Sequence, residues 1–465
     1  MIPLNQPVSL SDALRVARQT RALEIGTDII QEIPRLFHQH FGERTAIIVA
    51  DLNTFEVAGR AVQWAFQKAA LPTLEPFIYR SPDLYAETRF VLDLENSLQD
   101  HEAIPIAVGS GTINDLTKLA AHRTGRPYLC LATAASMDGY AAFGASITHE
   151  GSKQTFECPA PAVVVADLKV IASAPAGMAG WGYADLLAKV TAGADWIVAD
   201  ALGVEPIDPL AWNIVQGRLL EALADPSGIQ AASPAALGRL IEGLMLGGFA
   251  MQLTSSSRPA SGAEHQFSHL WDMQHHTHQG QAPSHGSKVG IATLAVTALY
   301  ERILELPLDH IDVDACVAQW PVKEAWIERA RQHCGEGELG IVARREIAAK
   351  QSSTDELRTQ LARLAATWLK LQTRLRQQLI PFDRLKEMLR AAGAPTEPEQ
   401  IGISRERLRA SFWQAFFIRR RFTVLDLAVR AGVFDRCLEE IFSLNGAWPA
   451  TSGITQSSPQ QPNGT

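Results

Sequence analysis

Six of the thirteen histidines crowd into one short stretch: His265, His269, His275, His276, His278 and His285. Imidazole titrates near neutral pH and is the commonest metal ligand. In a helix, residues i and i+4 share a face, so a helical SGAEHQFSH points His265 and His269 the same way. His285 lies beyond a polar loop and heads a second helical pattern, HGSKVGIATLAVTALYERIL. Two histidines on facing helices can hold one metal ion when a third ligand comes from elsewhere. His275, His276 and His278 read as solvent-exposed loop residues.

An acid stands in an unusual setting upstream. Asp185, in GWGYADLLAKVTAGADW, sits among Leu186, Leu187, Val190 and Trp196. A buried carboxylate needs a partner, because its desolvation is costly. Taken alone, the spacing favours an ion pair with Lys189, four residues on; a cation is the alternative.

A second kind of chemistry is suggested by IPIAVGSGTINDLTKLAAH. Gly109-Ser110-Gly111 falls between a strand and a helix, where unpaired N–H groups and a partial positive charge can receive a phosphate. Thr112 and Asn114 could add side-chain hydrogen bonds. The third glycine of a full GxGxxG is missing, since Asn114 stands there. Asp51 ends the first strand, where an acid binds a ribose hydroxyl and disfavours a 2′-phosphate; a turn or N-cap aspartate in ADLNT explains it equally well. Thr133 and Ser136 follow a strand at its C-terminal end, the ligand-binding end of α/β sheets. Asp138-Gly139, taken by itself, is a turn.

These residues need a frame. Segments 45–50, 76–79, 104–109, 128–133 and 163–167 read as strands, with helical patterns between the earlier ones. That alternation predicts a parallel α/β sheet. Residues 1–40 read as peripheral. Beyond about 175 the pattern turns helical, over 177–203, 209–225, 234–253, 286–306, 322–335, 354–393, 403–421 and 424–443. Ser353 and Glu356 form a capping box, and Leu357, Leu361, Leu364, Trp368, Leu371 and Leu375 make a core stripe. The expected fold is an α/β N-terminal nucleotide-binding domain (1–170) followed by an all-helical metal-binding domain (171–447). A Ser/Gln/Pro-rich disordered tail is expected over 448–465.

Composition narrows the function classes. A formal net charge of -8 disfavours nucleic acid or an anionic membrane as partner. The five scattered cysteines contain no C-x-x-C pair, which fits reduced thiols in a cytoplasmic protein. The N-terminus lacks a signal-peptide pattern, and no apolar run is long enough for a membrane span.

VGSGTINDLTK, LATAASMDGY, AGWGYADLLAK and SRPASGAEHQFSH…HG occur in that order. Together they resemble the glycerol-1-phosphate dehydrogenases, closest to the bacterial AraM-like branch, within the iron-alcohol-dehydrogenase and dehydroquinate-synthase superfamily. The resemblance covers about 45–300 well and the helical C-terminus more loosely. It implies a dehydroquinate-synthase-like fold and reduction of dihydroxyacetone phosphate by NAD or NADP chemistry. Gly109, Ser110, Gly111, Thr112, Ile113, Asn114 and Asp115 would receive the pyrophosphate, and Thr133, Ala134, Ala135 and Ser136 would flank the nicotinamide. Asp138 would contact the substrate and His269 would face substrate or nicotinamide. Asp185, His265 and His285 would bind one divalent metal per subunit, nickel or zinc. The resemblance also implies a homodimer or larger homo-oligomer.

Two residues depart from the family pattern: Ala184, where glycine is usual, and Trp181, where a small residue is usual. Arg258, Lys189 and Lys153 are candidates for the substrate phosphate, each also readable as a structural charge. Arg419-Arg420-Arg421 reads as a solvated helix end. A polyol dehydrogenase acting on an unphosphorylated substrate and a non-catalytic relative are the competing readings. A dehydroquinate-type cyclase fits less well, because that group uses Glu-His-His at its metal.

Overall fold

The structure, a computed structural model, describes residues 4, 6–149 and 152–449. Six parallel strands form one sheet in the order β1-β8-β5-β4-β2-β3. They are β1 (Ala22–Gly26), β2 (Ala46–Asp51), β3 (Phe77–Tyr79), β4 (Ile104–Gly109), β5 (Leu129–Ala132) and β8 (Val163–Asp167). β6 (Ala145–His149) and β7 (Ser152–Phe156) form a separate antiparallel pair. Side chains alternate across the sheet into two buried clusters. Ile47, Val49, Ala107, Val164 and Ala166 face one side, and Ala46, Ile48, Ile106, Val163 and Val165 the other. Both faces are covered, which is why these strands read as continuous apolar runs.

β1 corrects the expectation that residues 1–40 are peripheral. It pairs in parallel with β8 along its full length. As an edge strand it is only half-buried, so it lacks the apolar run that marks its neighbours.

The chain passes from β2 out to β3 and then returns to lay β4 on the other side of β2. The crevice at such a reversal, above the strand C-termini, is where open α/β sheets bind ligands. Val49 pairs with Ala107, so Asp51 and Gly109 end adjacent strands at the same level.

Beyond β8 the described chain is helical. Gly177–Leu187 (α2) and Lys189–Ala201 (α3) meet at Ala188, so the single 177–203 helix expected is two; α1 denotes the earlier helix after β4, Gly111–Arg123. Pro234–Thr254 (α4), Ala263–Met273 (α5) and His285–Ile303 (α6) follow. The expected 354–393 helix is also two, Thr354–Gln378 (α7) and Phe382–Ala391 (α8), separated around Pro381. The capping box and all six stripe residues of α7 are present, the stripe fully buried. Arg405–Phe417 (α9) stops short of the three arginines. Trp448 corrects the expected start of the tail: it is buried, with its ring perpendicular to Phe382 at 5.5 Å. The rest of that tail, from 450, lies outside the described residues. Among the described residues, no helix is long and apolar enough to cross a membrane.

Candidate active site

The phosphate-loop geometry follows from strand register. Gly109 ends β4 opposite Ala132 of β5, and the Thr133 N–H donates to the Gly109 carbonyl at 3.1 Å. The two loops therefore leave the sheet side by side. Ser110 is the N-cap of α1, and its side chain does not cap the helix. The first N–H groups of a 13-residue helix thus face the crevice. Ser110, Gly111, Thr112 and Ser136 keep exposed surface, whereas Ile113, Thr133, Ala134 and Ala135 are buried.

Two members of the expected loop are used internally. Asn114 is fully buried, donates to the Gly139 carbonyl and accepts from the Tyr128 hydroxyl at 3.0 Å. Asp115 accepts from the Ser146 N–H and pairs with Lys118. Their side chains brace the loop, Asn114 through a buried amide that is hydrogen-bonded at both ends. Lys118, which sequence reasoning passed over, gives its ammonium to the carbonyls of Gly139, Ala142 and Gly144. Asp51 caps the helical turn after β2 by accepting from the Thr54 N–H at 2.8 Å, so the N-cap reading holds.

Two glycines bring the helices onto this crevice. A Cβ at Gly182 of α2 would lie 1.9 Å from the Ala135 carbonyl oxygen. A Cβ at Gly286 of α6 would lie 2.0 Å from the Trp181 carbonyl oxygen. Backbone therefore touches backbone at both points. Trp181, one of the two departures from the family pattern, supplies the seat for α6 through its main chain.

This packing gathers Asp185, His265 and His285, one ligand atom from each lying within 4.8 Å of the others. Asp185 comes from α2, His265 from α5 and His285 from the first turn of α6. His265 Nε2 stands 3.6 Å from Asp185 Oδ1, and the two imidazole centroids are 5.3 Å apart. Ser268 Oγ lies 3.4 Å from His285 Nδ1. His269 is one turn beyond His265 on α5.

Asp185 and Asp138 converge on Lys189. Its buried ammonium contacts Asp185 Oδ1 at 2.9 Å, the Asp185 carbonyl at 2.8 Å and Asp138 Oδ2 at 2.7 Å. Three acceptors use the three N–H donors, so Lys189 has none left for a substrate phosphate. Arg258 donates to the carbonyls of Phe422 and Asp195 and lies 3.3 Å from Glu205, so its buried guanidinium ties these segments together. Lys153's side chain lies outside the described residues. Arg421 is not solvated as expected: it donates to the Ser261 carbonyl and Ser257 hydroxyl. Burial, with Arg258 and Arg419 nearby, pushes its guanidinium down to about 9. His276 also turns inward, its Nε2 on the Ile401 carbonyl and its Nδ1 on Arg407.

The charges fit a cation. Burial opposes ionisation of Asp185, but Lys189, His265 and His285 outweigh it and hold the carboxyl well below its usual range. Asp138 moves the other way: burial and the Asp185 charge push it up, against the pull of Lys189. Glu264, fully buried beside His265, adds a third acid. Lys189 answers Asp138 and Asp185, while Glu264 sits against His265, an acid-rich setting in which a divalent ion would be a fitting partner. Two imidazoles and a carboxylate are a donor set with room for further ligands.

A sequence model described as iron-containing alcohol dehydrogenase matches residues 24–175. The chain is 34% identical over 283 residues to the glycerol-1-phosphate dehydrogenase (NAD(P)+) of Halalkalibacterium halodurans, covering 60% of this chain and 70% of that one. It is 28% identical over 404 residues to the enzyme of that name from Bacillus subtilis, covering 86% of this chain and 87% of that one. The Pyrococcus furiosus enzyme of that name is 30% identical over 282 residues, covering 60% and 78%. In fold, it is similar to a probable glycerol dehydrogenase from Sinorhizobium meliloti, with a TM-score of 0.56 at 15% identity over 91% of this chain and 98% of that one. The motifs, the sheet with its helical partner and these relatives agree: the chain belongs to the glycerol-1-phosphate dehydrogenase family.

Proposed function

We propose that this oxidoreductase interconverts dihydroxyacetone phosphate and sn-glycerol 1-phosphate by hydride transfer with NAD(P). One observation carries the reading: Asp185, His265 and His285 converge beside the ends of the loops after β4 and β5. The link is direct, because the Asp138 N–H donates to Asp185 Oδ2 at 2.9 Å. A metal site and a dinucleotide crevice then share one wall.

In this reading the N–H groups of Gly111 and Thr112 bind the pyrophosphate, and Ser110 lies alongside. Thr133 to Ser136 line the nicotinamide end. Asp51 receives a ribose hydroxyl with the carboxylate oxygen not used for capping. A divalent ion held by Asp185, His265 and His285 supplies Lewis acidity toward the substrate's C2 oxygen. Lys189 keeps Asp185 ionised and oriented, and Asp138 fixes both through its carboxylate and its N–H. His269 orients the substrate or moves a proton at the C2 oxygen. Orientation by these residues, with hydride from the dinucleotide, is what the protein contributes.

The metal is zinc or nickel, for which such a donor set is suited. The dinucleotide-binding domain is assigned to 1–170 and the metal- and substrate-binding domain to 171–447. Family resemblance supports a homodimer or larger homo-oligomer, and the five free cysteines suit a reducing cytoplasm.

Steady-state oxidation of NADH with dihydroxyacetone phosphate against dihydroxyacetone tests the substrate. A kcat/KM preference of roughly 100-fold or more for the phosphorylated ketone is expected. Equal rates, or preference for the free ketone, would favour a polyol dehydrogenase instead.

A further inference from the structure

Glu264 has no place in the mechanism above, yet it is fully buried next to His265. Its Oε1 lies 2.8 Å from His265 Nδ1 and also accepts from the Gly262 N–H at 2.6 Å. Its Oε2 accepts from the Thr191 hydroxyl of α3 at 2.9 Å. The backbone on which it sits is pinned as well. The Ala263 N–H donates to Asp195 at 2.7 Å, and a Cβ on Gly262 would lie 2.5 Å from that carboxylate and 2.8 Å from Glu264 Oε2. The carboxylate is therefore held by two other donors, the Gly262 N–H and the Thr191 hydroxyl, with its third contact on the imidazole.

We propose that Glu264 is a positioning residue that fixes His265 as the Nδ1–H tautomer and presents Nε2 to the metal. A carboxylate in this position only accepts, so the ring proton belongs on Nδ1 and the lone pair on Nε2. Nε2 is the nitrogen that faces Asp185 Oδ1. Hydrogen bonding of a ligand histidine to a carboxylate sets ring orientation and raises the basicity of the ligating nitrogen. The inference rests on the reading of Asp185, His265 and His285 as metal ligands.

The test measures zinc affinity of the full-length protein by competition with a chromogenic chelator, and the visible spectrum after cobalt substitution. Wild type, E264Q, E264M and H265A are compared. E264Q keeps shape and hydrogen-bonding capacity but loses the charge, so it should fold even if E264M does not. E264Q is expected to bind zinc about 10-fold more weakly and E264M up to about 100-fold more weakly. The cobalt bands should shift in both, and KM for NADH should stay near the wild-type value. Wild-type affinity and an unshifted spectrum in E264Q, with weakened binding in H265A, would overturn the role of Glu264 alone. Wild-type affinity in H265A would overturn the metal-site reading and this inference with it.

Discussion

Lys189 grips Asp185 twice, at its carbonyl and at Oδ1, while the same carboxylate faces His265. The local ion pair and the metal-ligand role are therefore not alternatives. One helical turn supplies the counter-charge that lets a fully buried aspartate stay ionised.

Removing that lysine should leave Asp138 and Asp185 without their shared cation. Breaking one side of a buried pair costs about 3–5 kcal/mol. K189M is expected to lose stability of that order in urea denaturation of the metal-stripped protein, with part of the loss recovered on adding metal. A change below about 1 kcal/mol would mean the pair is not a structural unit.

The close backbone contacts at Gly182 and Gly286 set a second expectation. An added methyl at either position collides with a carbonyl oxygen on the neighbouring segment. G182A and G286A should each destabilise by about 1–3 kcal/mol and lower kcat/KM, since the metal ligands and the loop after β5 would be pushed apart. Thermal melting and steady-state kinetics together check this.

Asp51 separates capping from ribose recognition. Serine caps a helix nearly as well as aspartate, so D51S should keep its melting temperature while losing the charge. KM for NADH is expected to rise and discrimination against NADPH to fall. Unchanged kinetics with both dinucleotides would leave Asp51 as a cap only.

His276 gives a pH signature. Burial, with Arg407 and Lys288 nearby, lowers its pKa despite the Ile401 hydrogen bond. A histidine whose folded pKa is depressed takes up protons more readily when unfolded. Its contribution is present above about 6.5, the unfolded value, and is lost as pH falls toward the folded pKa. In H276Q the amide can replace both hydrogen bonds without titrating. Its melting temperature should fall less than wild type between pH 7 and 5; parallel curves would remove His276 as the cause.

Much of this is legible in the sequence alone. Long apolar strands and the α7 stripe announce themselves because full burial leaves a strong pattern. The triad was legible only through several motifs in register, since Asp185 is 80 residues from His265 in sequence. β1 was hidden by its half-buried edge position, and the breaks at Ala188 and near Pro381 by apolar patterns that continue across them. The inward turns of His276 and Arg421 depend on partners more than a hundred residues away, which no local pattern encodes. Glu264 carried one signal, its adjacency to His265, but its burial and its bond to Thr191 belong to the tertiary structure.

Asp185, His265 and His285 are the proposed holders of the ion that makes the enzyme work. The direct measurement is metal content per chain after dialysis, taken with NADH oxidation by dihydroxyacetone phosphate, for wild type, D185N, H265A and H285A. Wild type should retain about one divalent ion per chain, and each variant should lose both the ion and turnover while keeping a folded circular-dichroism spectrum. Stoichiometric metal and full turnover in the three variants would place the catalytic ion elsewhere.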